Sequence, residues 1–444
     1  MKIPEHRRHT LANGARLILL ARHEVPLIAF EAVLRGGARL DPPQSAGLSA
    51  VTAALLTRGA AGRDAHAFAE AVEGAGGALE AEAHSEATVL HGQFLARDRE
   101  LMLQLLSDAL QRPRFELGEL EIVRTRRIEF IKAAKDSEPQ SVIGHYGRAF
   151  LFADHPYGKP VGGSEASLAA LTRAQVLGFY RDHFGADRLT LVFAGDFDPD
   201  WMLAAVTAAF GPWSVAREPL PTLCAPGRAE GRNVLLIDAP DSTQTYFWIG
   251  NTGVARSYPQ RAALEVTNTA FGGSFGSMLM QALRVKSGLT YSVSSHFRRG
   301  SVAAEFAISS FTSAQSTGEA LDIALQTLST LKRDGAGDEA LASARNYIRG
   351  QYPLGFETAA DWASALAELD LYGLPETYIE EFAHSLQGVD AALSQRVVED
   401  AYPNAADVDI VLIGDAARIR AAAGRLGPVR EKPLAAPDFY APAA

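Results

Sequence analysis

The sequence predicts an α+β protein of two homologous domains, each a mostly antiparallel sheet packed with helices. In both halves of the 444-residue chain, strand-like runs at the start and end enclose long helical patterns. A strand that ends in Gly-Asp occurs at Gly195-Asp196 and again at Gly414-Asp415. A stretch rich in proline and glycine separates the halves. This order of strands and helices favours duplicated α+β domains.

The first half opens with a predicted β-hairpin. Asn13-Gly14 is a strong short-range hairpin signal, and runs of Val, Ile, Leu and Phe flank it. Helical periodicity then covers residues 98–110 and 117–134. The half closes on a strand within the run DRLTLVFAGDFDPD.

The second half repeats this arrangement after a linker. The stretch GPWSVAREPLPTLCAPGRAEGRN holds four prolines and three glycines without sustained periodicity, which is typical of an interdomain linker. The strand-like run RNVLLIDAPDSTQTYFWIGNTG follows, then a helical pattern over 319–331, and finally the strand in DVDIVLIGDAARI. The predicted organisation is a domain at 1–211, a linker at 212–232 and a homologous domain at 233–444.

Charge and composition exclude several classes of protein. Hydrophobic residues make up 47% and charged residues 21%, the balance of a globular protein. The net charge of −10 disfavours nucleic acid and anionic membrane surfaces as partners. Cys224 is the single cysteine, so neither an internal disulfide nor a thiolate zinc cluster is expected. No run is apolar enough for a membrane span or a signal peptide, which predicts a cytoplasmic protein, or a periplasmic one if a leader has been removed.

A metal site is not apparent among the eleven histidines. His6 and His9 have a workable spacing, but Arg7 and Arg8 between them would repel a cation. The other histidines are isolated, and nucleophile elbows, phosphate loops and dinucleotide fingerprints are missing. The run FGGSFGSML does not have a phosphate-binding spacing and is typical of a flexible strand-to-helix turn.

Several segments together resemble a known family. The run GLSAVTAALLTRG at 47–59 predicts a short helix closed by Arg58-Gly59. The segment HPYGKPVGGSEASLAALTRAQVLGFYRDHFGADRLTLVFAGDFDPD at 155–200, the segment GGSFGSMLMQALRVKSGLTYSVSS at 272–295 and the duplication are similar to the pitrilysin/insulinase-type (inverzincin) zinc peptidases. Within that family the chain resembles the processing-peptidase class made of two subunits, and the resemblance covers nearly the whole chain.

The resemblance implies that this chain has lost the family's zinc motif. Active members carry His-x-x-Glu-His on a helix with the same flanking glycines. In this chain the motif positions fall on Ala50, Ala53 and Ala54, which can neither bind a metal nor activate water. The family's third ligand, a glutamate, would align near residues 130–131, next to Glu129. The resemblance therefore implies that this chain binds no metal and no cofactor. Without the resemblance, the three alanines would be read simply as good helix formers.

The second half keeps a family pattern associated with substrate binding. An Arg and a Tyr seven residues later, in a pattern like LR-x-x-x-GL-x-Y, match Arg284 and Tyr291. The resemblance implies that both act in trans, on the zinc site of a partner subunit, where a guanidinium and a phenol can donate to a carbonyl or oxyanion. Without the resemblance, the simpler interpretation would be that Arg284 caps the C-terminus of a helix and that Tyr291 packs at the start of a strand. His155 lies in a family segment in which it is structural.

Two functions stay open on this basis. In the first, the chain is the zinc-motif-lacking subunit of a heterodimeric zinc metallopeptidase of the bacterial kind. A homologous partner supplies the zinc, while this chain closes the peptide chamber, lends Arg284 and Tyr291, and hydrolyses nothing alone. In the alternative, it is an inert scaffold or core subunit of a larger complex. The retained Arg and Tyr favour the first; a stand-alone peptide-binding module has less support, because one subunit forms only half of such a chamber.

Overall fold

Two six-stranded mixed sheets organise the chain in the computed structural model, which describes residues 1–442. The chain forms two compact units. Unit one consists of Met1–Phe130, Lys159–Thr222 and Pro353–Glu380; unit two consists of Ile131–Gly158, Leu223–Tyr352 and the residues from Glu381 onward. Each unit contains one sheet with its helices, so the predicted fold class is confirmed.

The strands of unit one lie in the order β1-β2-β6-β3-β5-β4, and those of unit two in the order β12-β7-β11-β8-β10-β9. Their bounds are β1 Arg7–Thr10, β2 Arg16–Ala21, β3 Leu27–Arg35, β4 Ala78–Ala83, β5 Ala87–Leu95, β6 Leu189–Gly195, β7 Arg232–Asp238, β8 Gln244–Gly253, β9 Val293–Arg299, β10 Ala304–Ser313, β11 Val408–Gly414 and β12 Val429–Pro433.

The α-helices are α1 Leu48–Leu56, α2 Ala65–Gly74, α3 Arg99–Gln111, α4 Leu117–Ser137, α5 Pro139–Phe152, α6 Glu165–Ala170, α7 Arg173–His183, α8 Pro199–Phe210, α9 Arg261–Asn268, α10 Met278–Met280, α11 Thr317–Asp334, α12 Asp338–Gln351, α13 Ala359–Tyr372, α14 Thr377–Glu380, α15 Phe382–Ser385, α16 Ala391–Ala401 and α17 Ala416–Gly424. Two further segments, Thr269–Gly273 and Gln281–Lys286, are π-helical. Within residues 1–442 no helix is both long and apolar enough to cross a membrane.

The recurring Gly-Asp sequence marks equivalent strands of the two sheets. β6 pairs parallel with β2 and antiparallel with β3, while β11 pairs parallel with β7 and antiparallel with β8. The predicted hairpin is also confirmed, since β1 and β2 pair antiparallel on either side of Asn13-Gly14. The duplication seen in the sequence is therefore a duplication of strand order.

The sheet of unit one is buried on both faces. One face, which includes Ile18, Leu20 and Val192, packs against α13 through Trp362 and Leu366. Because successive side chains of a strand point to opposite faces, the alternate residues of the same strands are buried on the other side, where α1, α3 and α8 contact the sheet. Burial on both faces explains the unbroken apolar runs in these strands.

The sheet of unit two is likewise covered by helices on both faces, and α5 covers one of them. Val142, Ile143, Tyr146 and Phe150 lie along one side of α5 and pack on that face, which includes Trp248. A Cβ at Gly147 would lie 2.6 Å from the Trp248 indole, so only glycine allows this close approach. The opposite face packs against a second apolar cluster that includes α9, α11, α16 and α17.

Each unit includes a helix from the other half of the sequence. α5 precedes residue 211 but belongs to unit two, and α13 follows residue 232 but belongs to unit one. Between Phe210 and Arg232 no α-helix or strand forms, and the boundary between unit segments falls at Thr222. The division at 1–211, 212–232 and 233–444 stays a prediction about the duplicated halves, whereas the compact units combine segments of both.

The half-buried Glu31 carboxyl on β3 leads to a pH-dependent prediction. Burial, and then repulsion by Glu82, raises the pKa of Glu31 from 4.5 to about 7. In the unfolded chain this carboxyl ionises above its usual pKa, whereas in the folded chain it ionises only above the raised pKa. Ionisation therefore disfavours the folded state increasingly as the pH rises from the lower pKa to the higher one, and the full loss of stability is reached above the higher pKa. Glu31→Gln should therefore raise the free energy of unfolding at pH 8 by on the order of 2 kcal/mol, with little change at pH 5.

Thermal unfolding at both pH values measures this effect. Glu80→Gln is the matched control, because Glu80 lies on β4 of the same sheet and is largely exposed. Equal shifts of the unfolding temperature at pH 5 and pH 8 in Glu31→Gln would contradict the prediction.

Candidate functional site

The helix α1 carries the predicted motif positions, and its flanking residues have structural roles. The Asp41 carboxylate accepts hydrogen bonds from the amides of Gly47 (2.9 Å) and Ser49 (2.8 Å) at the start of the helix. Gly47 has a φ of 91°, and a Cβ there would lie 2.7 Å from the Gly163 backbone. Arg58, just beyond the helix, donates to Glu119 at 3.2 Å. Backbone geometry and packing therefore account for the glycine and the arginine that flank the motif positions.

The motif positions themselves offer no ligand atoms. Ala50 and Ala53 are buried and Ala54 is half-buried in unit one. Arg127 of α4 donates from Nη2 to the carbonyl oxygen of Ala50 at 3.2 Å. Burial lowers the pKa of this guanidinium from its usual value, but it stays a cation at neutral pH. A fixed positive charge beside α1 opposes binding of a second cation.

These residues do not fit a zinc ion. Zinc sites in proteins use imidazole, thiolate or carboxylate donors, and three methyl groups with an adjacent guanidinium supply none. Phe130, near the predicted alignment of the third ligand, is 73% exposed and apolar. Across residues 1–442 no group of three His, Cys, Asp or Glu side chains is arranged to hold a metal ion. No chemical step of this chain is therefore assigned to a bound metal.

The second predicted position, Arg284, lies in the π-helical segment Gln281–Lys286 of unit two. Leu283 anchors this segment in the apolar core, and the amide of Leu289 donates to its carbonyl at 2.9 Å. Single π-type turns within helical segments are frequent at functional sites. The wide turn brings the Arg284 side chain back towards the loop that contains Tyr291.

Arg284 and Tyr291 are in direct contact. Nη1 of Arg284 donates to the carbonyl oxygen of Tyr291 at 2.9 Å, and the guanidinium carbon lies 4.3 Å from the centre of the Tyr291 ring. Phe275 lies near the same guanidinium, with its ring centre 5.0 Å away. Two aromatic contacts of this kind orient a guanidinium without using its hydrogen-bond donors.

The donors of this pair are open to a ligand. Tyr291 is 72% and Phe275 is 63% exposed. Within residues 1–442, neither Nε nor Nη2 of Arg284, nor the Tyr291 hydroxyl, has a hydrogen-bond partner. The pair can therefore offer several N–H donors and one O–H donor to a carbonyl or an anion.

The strand β10 holds the Tyr291 loop in place. Ser310 Oγ donates to the Ser292 carbonyl at 2.7 Å, and Thr312 Oγ1 donates to the Leu289 carbonyl at 2.8 Å. Both residues belong to β10, where it pairs with β8, rather than to a loop. The loop is thus bonded to a rigid strand on either side of the tyrosine.

His155 has a structural environment. Its Nε2 donates to the Cys224 carbonyl at 2.8 Å, and its Nδ1 accepts from the amide of Tyr157 at 3.2 Å. The ring also packs edge-on against Tyr157, with 4.9 Å between ring centres. Both nitrogens are used, so this histidine has no free ligand atom.

Two residues of the candidate site were missed from the sequence. Phe275 lies in the glycine-rich run GGSFGS, and an aromatic residue in such a run was the one local signal that could have pointed to it. Arg127 gives no local signal, because its contact with Ala50 joins two helices far apart in the sequence. Only the folded structure brings that cation to α1.

Known proteins match this chain over most of its length. Residues 23–165 match the family model described as insulinase (peptidase family M16), and residues 170–348 match the model described as the peptidase M16 inactive domain. A protein of Mycobacterium tuberculosis named an uncharacterized zinc protease is 30% identical over 372 residues, covering 83% of this chain and 84% of that protein. The chain belongs to peptidase family M16.

Further M16 relatives and solved structures agree with this assignment. An uncharacterized zinc protease of Mycobacterium leprae is 29% identical and covers 88% of this chain and 87% of its own length. The crystal structure of a peptidase M16 inactive domain from Pseudomonas fluorescens has a TM-score of 0.85 at 23% identity, covering 93% of this chain and 98% of the other. A Helicobacter pylori protease has a TM-score of 0.84 at 15% identity, covering 92% and 99%. The two structures show that the M16 fold is shared.

Proposed function

We propose that this M16 chain is the non-metal-binding subunit of a heterodimeric zinc metallopeptidase. A homologous subunit with an intact zinc motif supplies the metal. This chain closes the peptide chamber and presents Arg284 and Tyr291 to the partner's site. It hydrolyses no peptide by itself.

The observation that carries the proposal is the contrast between the two candidate positions. At α1 the ligand positions are alanines with an arginine beside them. At Arg284 a guanidinium is oriented by two exposed rings, with donors free. Donors fixed in advance and open to solvent suit a carbonyl that becomes an oxyanion, because they need no reorganisation as charge develops. A chain with such donors but no metal site requires the metal from elsewhere.

An inert scaffold or core subunit of a larger complex is the alternative. In that function Phe275 and Tyr291, both largely exposed, would be covered by another protein, since exposed aromatic residues are frequent at interfaces. The Arg284 donors would then serve packing rather than catalysis. Assembly with a zinc-bearing partner and the zinc content of the product separate the two functions.

Co-expression with a zinc-bearing M16 chain from the same source tests the proposal. We expect the two chains to copurify as a 1:1 pair in size-exclusion chromatography with light scattering, through an interface of at least about 1,200 Å², as stable pairs require. Elemental analysis should find about one zinc in the pair and none in this chain alone, because structural and catalytic zinc both need three or four protein ligands.

Arg127→Ala is a useful control in the same experiment. It removes the cation beside α1 without adding a ligand, so the chain alone should still bind no zinc. Failure to copurify with any zinc-bearing M16 chain would favour the scaffold function. Close to one zinc in the purified chain alone would refute the proposal.

A further inference from the structure

Two arginines and a histidine in unit two surround one buried carboxylate. Glu305 of β10 is 2% exposed. Arg148 Nη1 lies 3.3 Å and Arg298 Nε 3.9 Å from its Oε2, and His296 Nε2 lies 3.7 Å from its Oε1. The Trp248 indole donates to the same Oε1 at 3.1 Å. We call Arg148, His296, Arg298 and Glu305 the cationic cluster.

The register of the sheet brings this cluster to one face. Arg298 of β9 lies directly opposite Glu305 of β10, and His296 is two residues earlier on β9, so its side chain points to the same face. α5 packs on that face and contributes Arg148. Three elements therefore converge on Glu305.

The cluster holds more positive than negative charge. Burial alone would raise the pKa of Glu305, but Arg148, His296 and Arg298 outweigh it and lower the pKa to about 2, so the carboxylate is ionised. This single negative charge is shared between the guanidiniums of Arg148 and Arg298. His145 does not add charge, since burial, and then Arg148 and Arg298, lowers its pKa to about 3. One positive charge is thus uncompensated before His296 is counted, in a chain whose net charge is −10.

Of the residues in the cationic cluster, Arg298 makes the weakest interactions within the chain. Repulsion by Arg148, followed by burial, lowers the pKa of Arg298 from its usual value, which is the sign of a cation near another cation. Its closest acceptor is Glu305 at 3.9 Å, beyond hydrogen-bond distance, and within residues 1–442 its guanidinium makes no hydrogen bond. All of its donors are available.

The cluster is also accessible. The side chains of Arg298 and His296 are 64% and 44% exposed, and β9 is the edge strand of its sheet. By contrast Arg420, a comparably exposed arginine of unit two, makes a bidentate pair with Glu431 at 2.9 and 2.8 Å. Arginine forks are satisfied best by such planar, two-oxygen acceptors.

We propose that the cationic cluster binds a carboxylate of a peptide, with the Arg298 guanidinium as the bidentate donor and His296 beside it. Arg148 and Glu305 hold the site in place, because their buried ion pair fixes β10 against α5, and β9 is hydrogen-bonded to β10. Either an acidic side chain or the C-terminal carboxylate can supply the two oxygens. That the ligand is a peptide rests on the proposed function; the carboxylate preference rests on the cluster alone.

Fluorescence anisotropy with rhodamine-labelled nine-residue peptides tests this proposal on the full chain without a zinc subunit. One peptide carries a central Glu and an amidated C-terminus, a second carries Gln in its place with a free C-terminus, and a third carries Gln with an amidated C-terminus. We expect the carboxylate-bearing peptide that fits the site to bind at least about tenfold tighter than the amidated Gln peptide at low salt, as for a hydrogen bond to a charged group. The preference should shrink at high salt.

Arg298→Gln should remove the preference, whereas Arg420→Gln, the exposed arginine that already has a partner, should keep it. A preference for the Glu peptide identifies an acidic side chain as the ligand, and a preference for the free C-terminus identifies the terminal carboxylate; either supports the proposal. Equal binding of all three peptides, no measurable binding, or a preference that persists in Arg298→Gln would overturn it. Because no partner subunit is present, these results do not depend on whether a heterodimer forms.

Discussion

Arg284→Ala in this chain, assembled with an unaltered zinc-bearing subunit, should lower peptide cleavage by about 10²–10³-fold, the usual effect of removing one oxyanion donor. The guanidinium has donors free and is oriented by the rings of Phe275 and Tyr291. Its side chain is not part of the buried core, so the heterodimer should still form. Loss of an interaction that exists only in the transition state lowers kcat, whereas loss of substrate binding raises KM.

Tyr291→Phe separates the two roles of the tyrosine. The substitution keeps the ring 4.3 Å from the Arg284 guanidinium and removes only the hydroxyl, so orientation of the arginine is preserved. If the hydroxyl also donates to the substrate, kcat should fall with KM nearly unchanged. Arg333→Ala is the control, since Arg333 is exposed and already paired with Asp334 at 2.6 Å. Full cleavage by both Arg284→Ala and Tyr291→Phe would leave the chain with a scaffold function.

Phe439→Ala should destabilise unit two by about 3–5 kcal/mol, the usual cost of removing a buried phenylalanine ring. Phe439 lies in the C-terminal segment after β12 and is fully buried against α5, with its ring centre 5.0 Å from that of Tyr146 and 5.1 Å from that of His145. Lys432 fixes the segment by donating to the carboxylate and carbonyl of Asp438 and to the carbonyl of Tyr440. A cavity at this position cannot close without moving the segment.

Urea unfolding followed by tryptophan fluorescence measures this loss, because Trp248 lies in the same apolar cluster as Phe439. Phe130→Ala is the matched control, since this phenylalanine is 73% exposed and should change stability by less than about 0.5 kcal/mol. A similar midpoint for Phe439→Ala and the unaltered chain would mean that the C-terminal segment does not stabilise unit two.

The features that the sequence predicted correctly depend on neighbours along the chain. The hairpin at Asn13-Gly14 follows from local turn chemistry, and the paired Gly-Asp strands follow from repeated apolar runs. The contact between Arg284 and Tyr291 is equally local, since the two residues are only seven apart, but it was not predicted from the sequence. Their catalytic role stays a prediction.

The features that escaped the sequence join distant segments. Arg148 and Glu305 come from different halves of the chain, and nothing in either local pattern indicates that they meet. The apolar side of α5 is equally consistent with packing on either sheet, because helix periodicity shows which side is buried but not against what. The same holds for α13. Which sheet a helix packs on is decided by the shape of the facing surface, as the close packing of Gly147 on Trp248 illustrates.

The placement of α13 determines the order in which the protein can mature during synthesis. A nascent chain that has emerged as far as Thr222 has all six strands of the first sheet, but the helix that covers Ile18, Leu20 and Val192 has not yet been translated. Until the ribosome reaches Tyr372, that apolar face is open to chaperones or to aggregation. Two polypeptides separated within the 212–232 stretch would each lack one covering helix, so they should stay incomplete when made singly and complement each other when made together.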